Sequence, residues 1–600
     1  VNSPPCGPAA RWRACLFLLP ILLAPLASPA AEVLSRQQQY EQELIEQTLR
    51  RLGLEPEPSP EGKIIDRIIV DRHPIIEKSD PWPDWLNWFH VLTGEQTIRR
   101  ELLFTEGQPY REELVRESER NLRALPLVLS VVRLVAARGR RPEEVAVVVI
   151  TKDLWSLRLN SNFSFGGGVF NFLSLKPTEQ NFLGRAEQLS LYSYIDRDTF
   201  SVGQAYQIPR LWGSRLYTAE SINLRINHQE GSLEGGFGYG ALWLPLVSLS
   251  DRWGMSLGVS LDRGVSRAYR GRELLEQCYQ LAEGEVCLPW KWNYGYTETW
   301  SQAVRSFGER HKLNLIFGYS LRWQDYRLPE ESQQLPAEAR RRFEQEVLPR
   351  SQQASEVQLG ISYFLAEYLR LHNIQSYGLS EDFRRGPRAS VQAALAHPAL
   401  GPGLQLRAFR LRADLGWLFV IGEDLLSIAV AGEARYLPDY QPPQGQTSLW
   451  LDRYWEVGVE NVSPELLGLG RLHFRLRWAA LQFDTRGRRF FLGGDNTLRG
   501  FVSDFQNGER LLNFNLEFRS LPVVMWTLHW GVVVFYDAGD AYGYSAADAF
   551  SYHHSLGLGI RGLFPQFDLE VFRLDVGIPL GQDFHSRIIE WVTVSFRQAF

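Results

Sequence analysis

The stretch "FFLGGDNTLRGF", residues 490–501, decides how this chain is read. Glycine and asparagine tolerate φ > 0, so the Gly-Gly-Asp-Asn run from Gly493 is ordinary turn chemistry. Arg499 is less ordinary, because Leu498 precedes it and Phe501 follows one residue past Gly500, inside a chain of strand patterns. What a guanidinium does in such an apolar frame depends on what surrounds it.

The surroundings alternate. "QLSLYSYID" (188–196), "FSVGQAYQI" (200–208), "SINLRINHQ" (221–229), "LSIAVAGEARY" (426–436) and "RLHFRLRWAALQF" (471–483) interleave polar and apolar residues, with turns or charged, proline-bearing loops between them. No apolar run of the roughly 20 residues needed for a spanning helix occurs after the first thirty residues. Alternation over about ten residues, aromatic ends and uneven loops are what a transmembrane barrel requires, since every backbone group must pair within a closed sheet. In "EWVTVSFRQAF" (590–600), Val592, Val594, Phe596 and Phe600 share one face, whereas Thr593, Ser595 and Arg597 share the other.

Composition agrees. The chain has 600 residues, 12% aromatic, with 19 Trp and 50 Gly, a balance suited to strands, tight turns and aromatic girdles. A formal net charge of -5 and the absence of a long basic run give no reason to propose nucleic-acid binding. Residues 1–30 read as an export signal: Arg11 and Arg13 form the positive region, Leu16 to Leu26 the apolar one, and Ser28-Pro29-Ala30 the cleavage site. Cys15 precedes the apolar region, which is the wrong place for a lipoprotein cysteine. After cleavage Cys278 and Cys287 remain, and their closeness in an exported chain makes them a disulfide candidate, with two free thiols as the alternative.

Residues 31–61 combine Tyr40, Leu44, Ile45, Leu49 and Leu52 at near-helical spacing with the linker "EPEPSPEG"; a short amphipathic helix and a solvated tether both fit. From residue 62 to 155 the order changes to strand ("KIIDRIIVD"), two helices ("TIRRELLF", "YREELVRESERNLRAL") and two strands ("LVLSVVRLVAAR", "EVAVVVITKD"). This β-α-α-β-β order, with "FTEGQPY" between the helices, resembles a polypeptide-transport-associated (POTRA) domain, with Glu106, Gly107 and Tyr110 at that family's acidic-Gly turn and following aromatic. The insert at 73–94 departs from it. Its Trp82, Trp85, Trp88 and Phe89 suit either a cap on the small domain's core or a contact surface for membrane or client.

The run from "FFLGGDNTLRGF" through "NFNLEFRS", "VVVFYDAGDAY", "SLGLGIRG" and "FRLDVGIPL" resembles the carboxyl-terminal third of the BamA/TamA superfamily of outer-membrane assembly barrels and secretion pores. "NFLGRAEQLSL" and "DFRRGPRASV" are similar to earlier barrel segments of that family. The resemblance implies a mostly β fold: an outer-membrane antiparallel β-barrel of about 16 strands over residues 156–600, preceded by one small α+β POTRA-like periplasmic domain. It implies that Leu498, Arg499, Gly500 and Phe501 form a loop folded into the lumen, with Glu517 and Asp537 as candidate partners of Arg499, because a planar guanidinium fork can bridge two carboxylates. Phe600, with Phe596, resembles a barrel assembly signal.

The same resemblance implies assembly or insertion of outer-membrane proteins, or polypeptide translocation. The partners would be outer-membrane lipid, unfolded or partly folded outer-membrane or secreted clients, and periplasmic accessory proteins; no cofactor or metal is called for. A client strand would add to an exposed edge of the small sheet. A two-partner-type secretion pore for a dedicated exported protein is the alternative. An outer-membrane hydrolase built on Ser256 in "GMSLG", with His553 or His554 as base, is disfavoured because that motif needs a strand followed directly by a helix. A passive porin would lack both the small domain and the Arg-Gly-aromatic loop.

Overall fold

The computed structural model describes residues 36–600, apart from 77–82, 126–128, 167–168, 268, 271–272, 275, 283, 350, 378–380, 402–405, 441–447, 486–487, 495–496, 502–504, 526–527, 544–548, 564–570, 585–590 and 597–600. The expected export signal therefore lies outside the described residues, as does Phe600.

The first described element is helix α1 (Arg36–Leu52). A small unit follows: strand β1 (Ile64–His73), helices α2 (Glu95–Arg99) and α3 (Glu112–Arg123), then strands β2 (Leu129–Arg138) and β3 (Glu144–Asp153). The sheet order is β1-β3-β2, with β1 parallel and β2 antiparallel to β3. Central β3 is buried from Val145 to Asp153, which explains its unbroken apolar run: both of its faces are covered. One face packs Val145, Val147 and Val149 against Ile98, Phe104 and Leu122. The other packs Ala146, Val148 and Ile150 against Leu44 and Leu49 of α1. The segment from 36 to 52 is thus a helix that completes the unit, not a tether. Asp71 fastens it by accepting from Thr48 Oγ1 at 2.9 Å. Against the penalty of its burial, hydrogen bonds from His73, Arg51 and Thr48 hold the Asp71 carboxyl well below the usual carboxylate range.

Gly107 takes φ +86° in the turn before α3, and the Glu106 carboxylate accepts from the Ile68 N–H at 3.0 Å. Of the insert's aromatic residues, Trp85 and Trp88 do not cap the core, and the Phe89 side chain lies outside what is described. Trp85 and Trp88, on the short 3-10 turn Asp84–Phe89, are 47% and 84% exposed. Trp82 lies outside the described residues.

From Leu157 onward 22 strand segments among the described residues close into one ring, in which the first, Leu157–Gly166, lies beside the last, Val592–Phe596. Gln352–Leu365 and Glu367–Leu371 both pair with Glu381–Ala396 and form one interrupted stave. Arg510–Ser520 and Val523–Met525 pair likewise with Leu528–Tyr542. Merging those two pairs reduces the 22 segments to 20 staves, which corrects the expectation of about 16. Each stave alternates too softly to be counted individually from sequence.

The two faces of the ring differ as a bilayer demands. In His553–Leu563 the residues Ser555, Gly557, Gly559 and Arg561 are buried, whereas Leu556, Leu558 and Ile560 point out and are exposed. Val592 and Val594 are also exposed. Apolar outside and small or polar inside is the transmembrane pattern. No described helix is long and apolar enough to cross a membrane. Ser256 lies mid-strand in Trp253–Arg267, paired on both sides, and no helix follows it.

Cys278 and Cys287 face each other across the hairpin Glu276–Leu281/Gly284–Pro289 and are joined by a disulfide, S–S 2.02 Å. Tyr279 and Leu288 of that hairpin pack on Ala339 and Phe343 of helix α4 (Ala337–Glu346).

The small unit is docked on the end of the barrel where the short turns lie. The Gly94 N–H donates to the Gly184 carbonyl at 2.7 Å, Asn181 Nδ2 donates to the Val91 carbonyl at 2.9 Å, and Glu101 pairs with Arg210. On α3, Glu117 accepts from the Leu249 N–H, Glu119 pairs with Arg370 at 2.8 Å, and Arg123 pairs with Asp382 at 2.8 Å. Burial pushes the Glu119 carboxyl up, against the pull of Arg123 and Arg133.

A closed barrel resists detergent until heated. The mature protein is expected to float with membranes and to migrate faster on gels unheated than boiled; a folded chain recovered from the soluble fraction would overturn the barrel.

Candidate functional site

Residues 490–501 belong to the loop that leaves Gly470–Gln482 and returns as Arg510–Ser520. A short ladder, Phe490–Leu492 against Gln506–Gly508, closes it. Its apolar residues are anchored on the inner wall: Leu498 and Phe501 are buried with Ala479, Leu492, Leu511 and Ala541. Asn513 and Asn515, which face inward from the adjoining stave, each donate to the Thr497 carbonyl, at 2.9 and 2.7 Å.

This anchoring delivers Arg499 to the wall at 1% exposure. Arg499 Nε donates to Asp537 Oδ2 at 2.7 Å and Nη2 to Asp537 Oδ1 at 2.8 Å, a bidentate fork. The backbone N–H of Arg499 also donates to Asp537, at 3.1 Å. Nη1 reaches Glu517 and, at 3.1 Å, Asp575 Oδ2. The guanidinium carbon stands 3.5 Å from the centre of the Phe535 ring, so the cation also has an aromatic face beneath it.

The carboxylates are themselves held. Arg519 Nε donates to Glu517 at 2.7 Å, Asn515 Nδ2 to Asp537 at 2.8 Å, and Arg561 to Asp575 through both of its terminal nitrogens. Arg573 Nε lies 3.6 Å from Asp575. Four arginines and three carboxylates thus form one network, drawn from the loop and from four consecutive staves of the wall. The low local dielectric strengthens each pair and makes any unpaired member costly.

Gly500 lets the loop approach so closely. Its φ is +89°, and a Cβ there would stand 2.5 Å from the Gly577 carbonyl oxygen. A side chain is excluded twice, by conformation and by backbone contact.

The structure brings Leu498, Arg499, Gly500, Phe501, Glu517 and Asp537 together. It adds Asp575, Arg561 and Arg573, which sequence reasoning missed although "FRLDVGIPL" and "SLGLGIRG" contain them. The usable signal was parity. Asp575 alternates with outward Val576 and Ile578, which places it on the inner face. Phe596 falls in the last strand, and nothing about its side chain is described. His553 accompanies Asp583 at 2.8 Å, and His554 contacts Tyr536; neither meets Ser256 among the described hydrogen bonds.

These features define a membrane-spanning antiparallel barrel with a loop fastened inside its lumen and a small α+β unit at one mouth. No family model matches the sequence, and no curated protein does. Among solved structures, the chain is similar in fold to the crystal structure of BamA from Haemophilus ducreyi lacking POTRA domains 1–3, at 13% identity and TM-score 0.32, covering 88% of this chain and 83% of that one. It is also similar to CdiB from Acinetobacter baumannii, at 10% identity and TM-score 0.37 over 89% and 73%, and to CdiB from Escherichia coli, at 11% and 0.40 over 94% and 97%. At these values the likeness carries no argument, and both fold and function are argued from the chain itself.

Removing one member of a buried ion network typically costs about 3–5 kcal/mol. Arg499→Ala is therefore expected to lower the heating midpoint at which the compact gel species unfolds, while the barrel still assembles. Arg499→Lys should recover only part, since an ammonium cannot make the fork to Asp537. Equal midpoints for all three proteins would show that the network holds nothing.

Proposed function

We propose that this protein is an outer-membrane barrel that inserts or translocates polypeptide clients, with the small unit as a POTRA-like receiver on the periplasmic side. The observation that carries the reading is the joint placement of two features: a loop fastened into the lumen by Arg499, and a separately packed α+β unit docked at the mouth through α3. A pore for small solutes needs neither. The lumen loop gives the barrel an internal element on its inner wall, and the unit gives an incoming chain a first contact.

The manner of that contact is narrower than a bare sheet edge suggests. Segment 107–110 covers the first half of β1, where the Ile65 N–H donates to the Gln108 carbonyl at 2.9 Å and the Tyr110 N–H to the Lys63 carbonyl at 2.7 Å. Residues 55–57 cover the far end of β2, where the Glu57 N–H donates to the Ala136 carbonyl at 3.0 Å. Among the described residues, Ser130–Leu134 of β2 is one edge stretch with no main-chain partner on its outer side, and an added strand would bind there through main-chain hydrogen bonds with loose sequence preference.

The test is functional loss without loss of the barrel. Cells carrying Arg499→Ala as their only copy are expected to show heat-modifiable barrel at ordinary levels but to accumulate unassembled client in the periplasm, read by quantitative proteomics of soluble and membrane fractions. If client levels in both fractions match those of wild type, and diffusion of a small solute is what changes instead, the protein is a porin and this reading fails.

A further inference from the structure

The connection between Glu367–Leu371 and Glu381–Ala396 does more than turn the chain. Four staves, Ala408–Ile421, Asp424–Tyr436, Trp450–Val462 and Gly470–Gln482, stand between its root and Arg510–Ser520. The connection nevertheless touches that stave and the two beyond it. Arg519 Nη1 donates to the Ile374 carbonyl at 3.4 Å, and His529 Nδ1 donates to the Tyr377 carbonyl at 2.8 Å. The Tyr377 ring lies over Gly531, where a Cβ would come within 2.2 Å of the Tyr377 hydroxyl, and it is buried with Leu563 and Val571. A segment that leaves the wall at one place and seats an aromatic ring on a distant part of the same wall runs across the mouth as a chord.

Its root is pre-shaped. The Glu381 carboxylate accepts from the backbone N–H groups of Gln375 and Ser376, each at 2.9 Å, and from the Ser376 hydroxyl at 2.7 Å. That cradle fixes Ile374–Ser376 without help from the far wall. The flanks are bound to the small unit: Arg370 to Glu119 at 2.8 Å, Asp382 to Arg123 at 2.8 Å, and the Tyr368 ring beneath Arg120 at 4.7 Å. At the far side, Arg519 also holds Glu517, and Glu517 holds Arg499.

We propose that Ile374–Tyr377 is a strap that closes the small-unit end of the lumen, seated by Tyr377 and joined at its two ends to α3 and to the Arg499 network. A polypeptide passing through that mouth must displace it, and a shift of α3 pulls on its root. This consequence for clients rests on the function proposed above; the closure itself does not. The far end of the strap is held by one buried ring and by two hydrogen bonds that its own carbonyls accept from Arg519 and His529, few enough contacts to be made and broken.

Single-channel conductance of the full-length protein in planar lipid bilayers tests the closure without any client. Tyr377→Ala removes the ring, and Gly531→Leu fills its seat. Each is expected to raise the open probability about tenfold, the scale of one lost ring-packing contact in a two-state equilibrium. Tyr377→Phe keeps the ring and should behave as wild type. A cysteine pair at Tyr377 and Leu563 should be open when reduced and closed when oxidised. Heat-modifiable migration of each variant confirms that the barrel has formed. If Tyr377→Ala and Gly531→Leu conduct as wild type does and oxidation of the cysteine pair changes nothing, there is no strap. Altered conductance together with normal client handling would keep the strap and remove its role in transport.

Discussion

A guanidinium without water has to be met by carboxylates, and the arrangement around Arg499 follows from that constraint. Asp537 supplies the matched fork, Glu517 and Asp575 take the remaining nitrogen, and Arg519 and Arg561 prevent the three acids from repelling one another. The loop can deliver the cation only because Leu498 and Phe501 bury themselves on either side and Gly500 has no side chain to hold it off Gly577. The network also ties consecutive staves together across the lumen side, which backbone ladders alone do only edge to edge. Deleting one charge therefore disturbs loop and wall at once.

Much of this was legible because a barrel writes its faces at period two. "NFNLEFRS" already puts Asn513, Asn515 and Glu517 on one face, and "VVVFYDAGDAY" puts Phe535 and Asp537 on one face. What joins them across staves is not in either string. Asp575 and Arg561 sit in stretches that were read only as strands, since sequence spacing does not reveal which staves end up adjacent. The number of staves was legible only roughly: Gln352–Leu365 with Glu367–Leu371, and Arg510–Ser520 with Val523–Met525, are single staves that interruptions split, so strand-like runs in the sequence do not count staves one to one. Tyr377 was invisible for a different reason. Its partners Gly531 and Leu563 lie more than a hundred residues away, and "NIQSYGL" looks like any polar turn.

The small unit shows the same division. Its β-α-α-β-β order could be read from periodicity, and the unbroken run in β3 reported burial on both sides. That α1 supplies the second cover depended on Leu44 and Leu49 meeting Val148 and Ile150. The insert ran the other way: Trp85 and Trp88 look like core residues by type, yet they are exposed. Large apolar side chains left in solvent are a surface feature, not a packing one. The docking ties from Glu117, Glu119 and Arg123 make the unit part of the mouth, so its motion and the mouth's geometry are mechanically linked.

The central claim is that the loop lies inside the lumen, held against the wall. Leu498 and Ala541 share one buried cluster, although forty-odd residues of chain separate them. Oxidation of the Leu498→Cys, Ala541→Cys double variant in intact outer membranes, followed by mass spectrometry of non-reduced peptides, reads that proximity. A dominant disulfide-linked peptide joining the two positions is the predicted result. Two unlinked thiols, both freely alkylated by a membrane-impermeant reagent added to whole cells, would place the loop outside the barrel and contradict it.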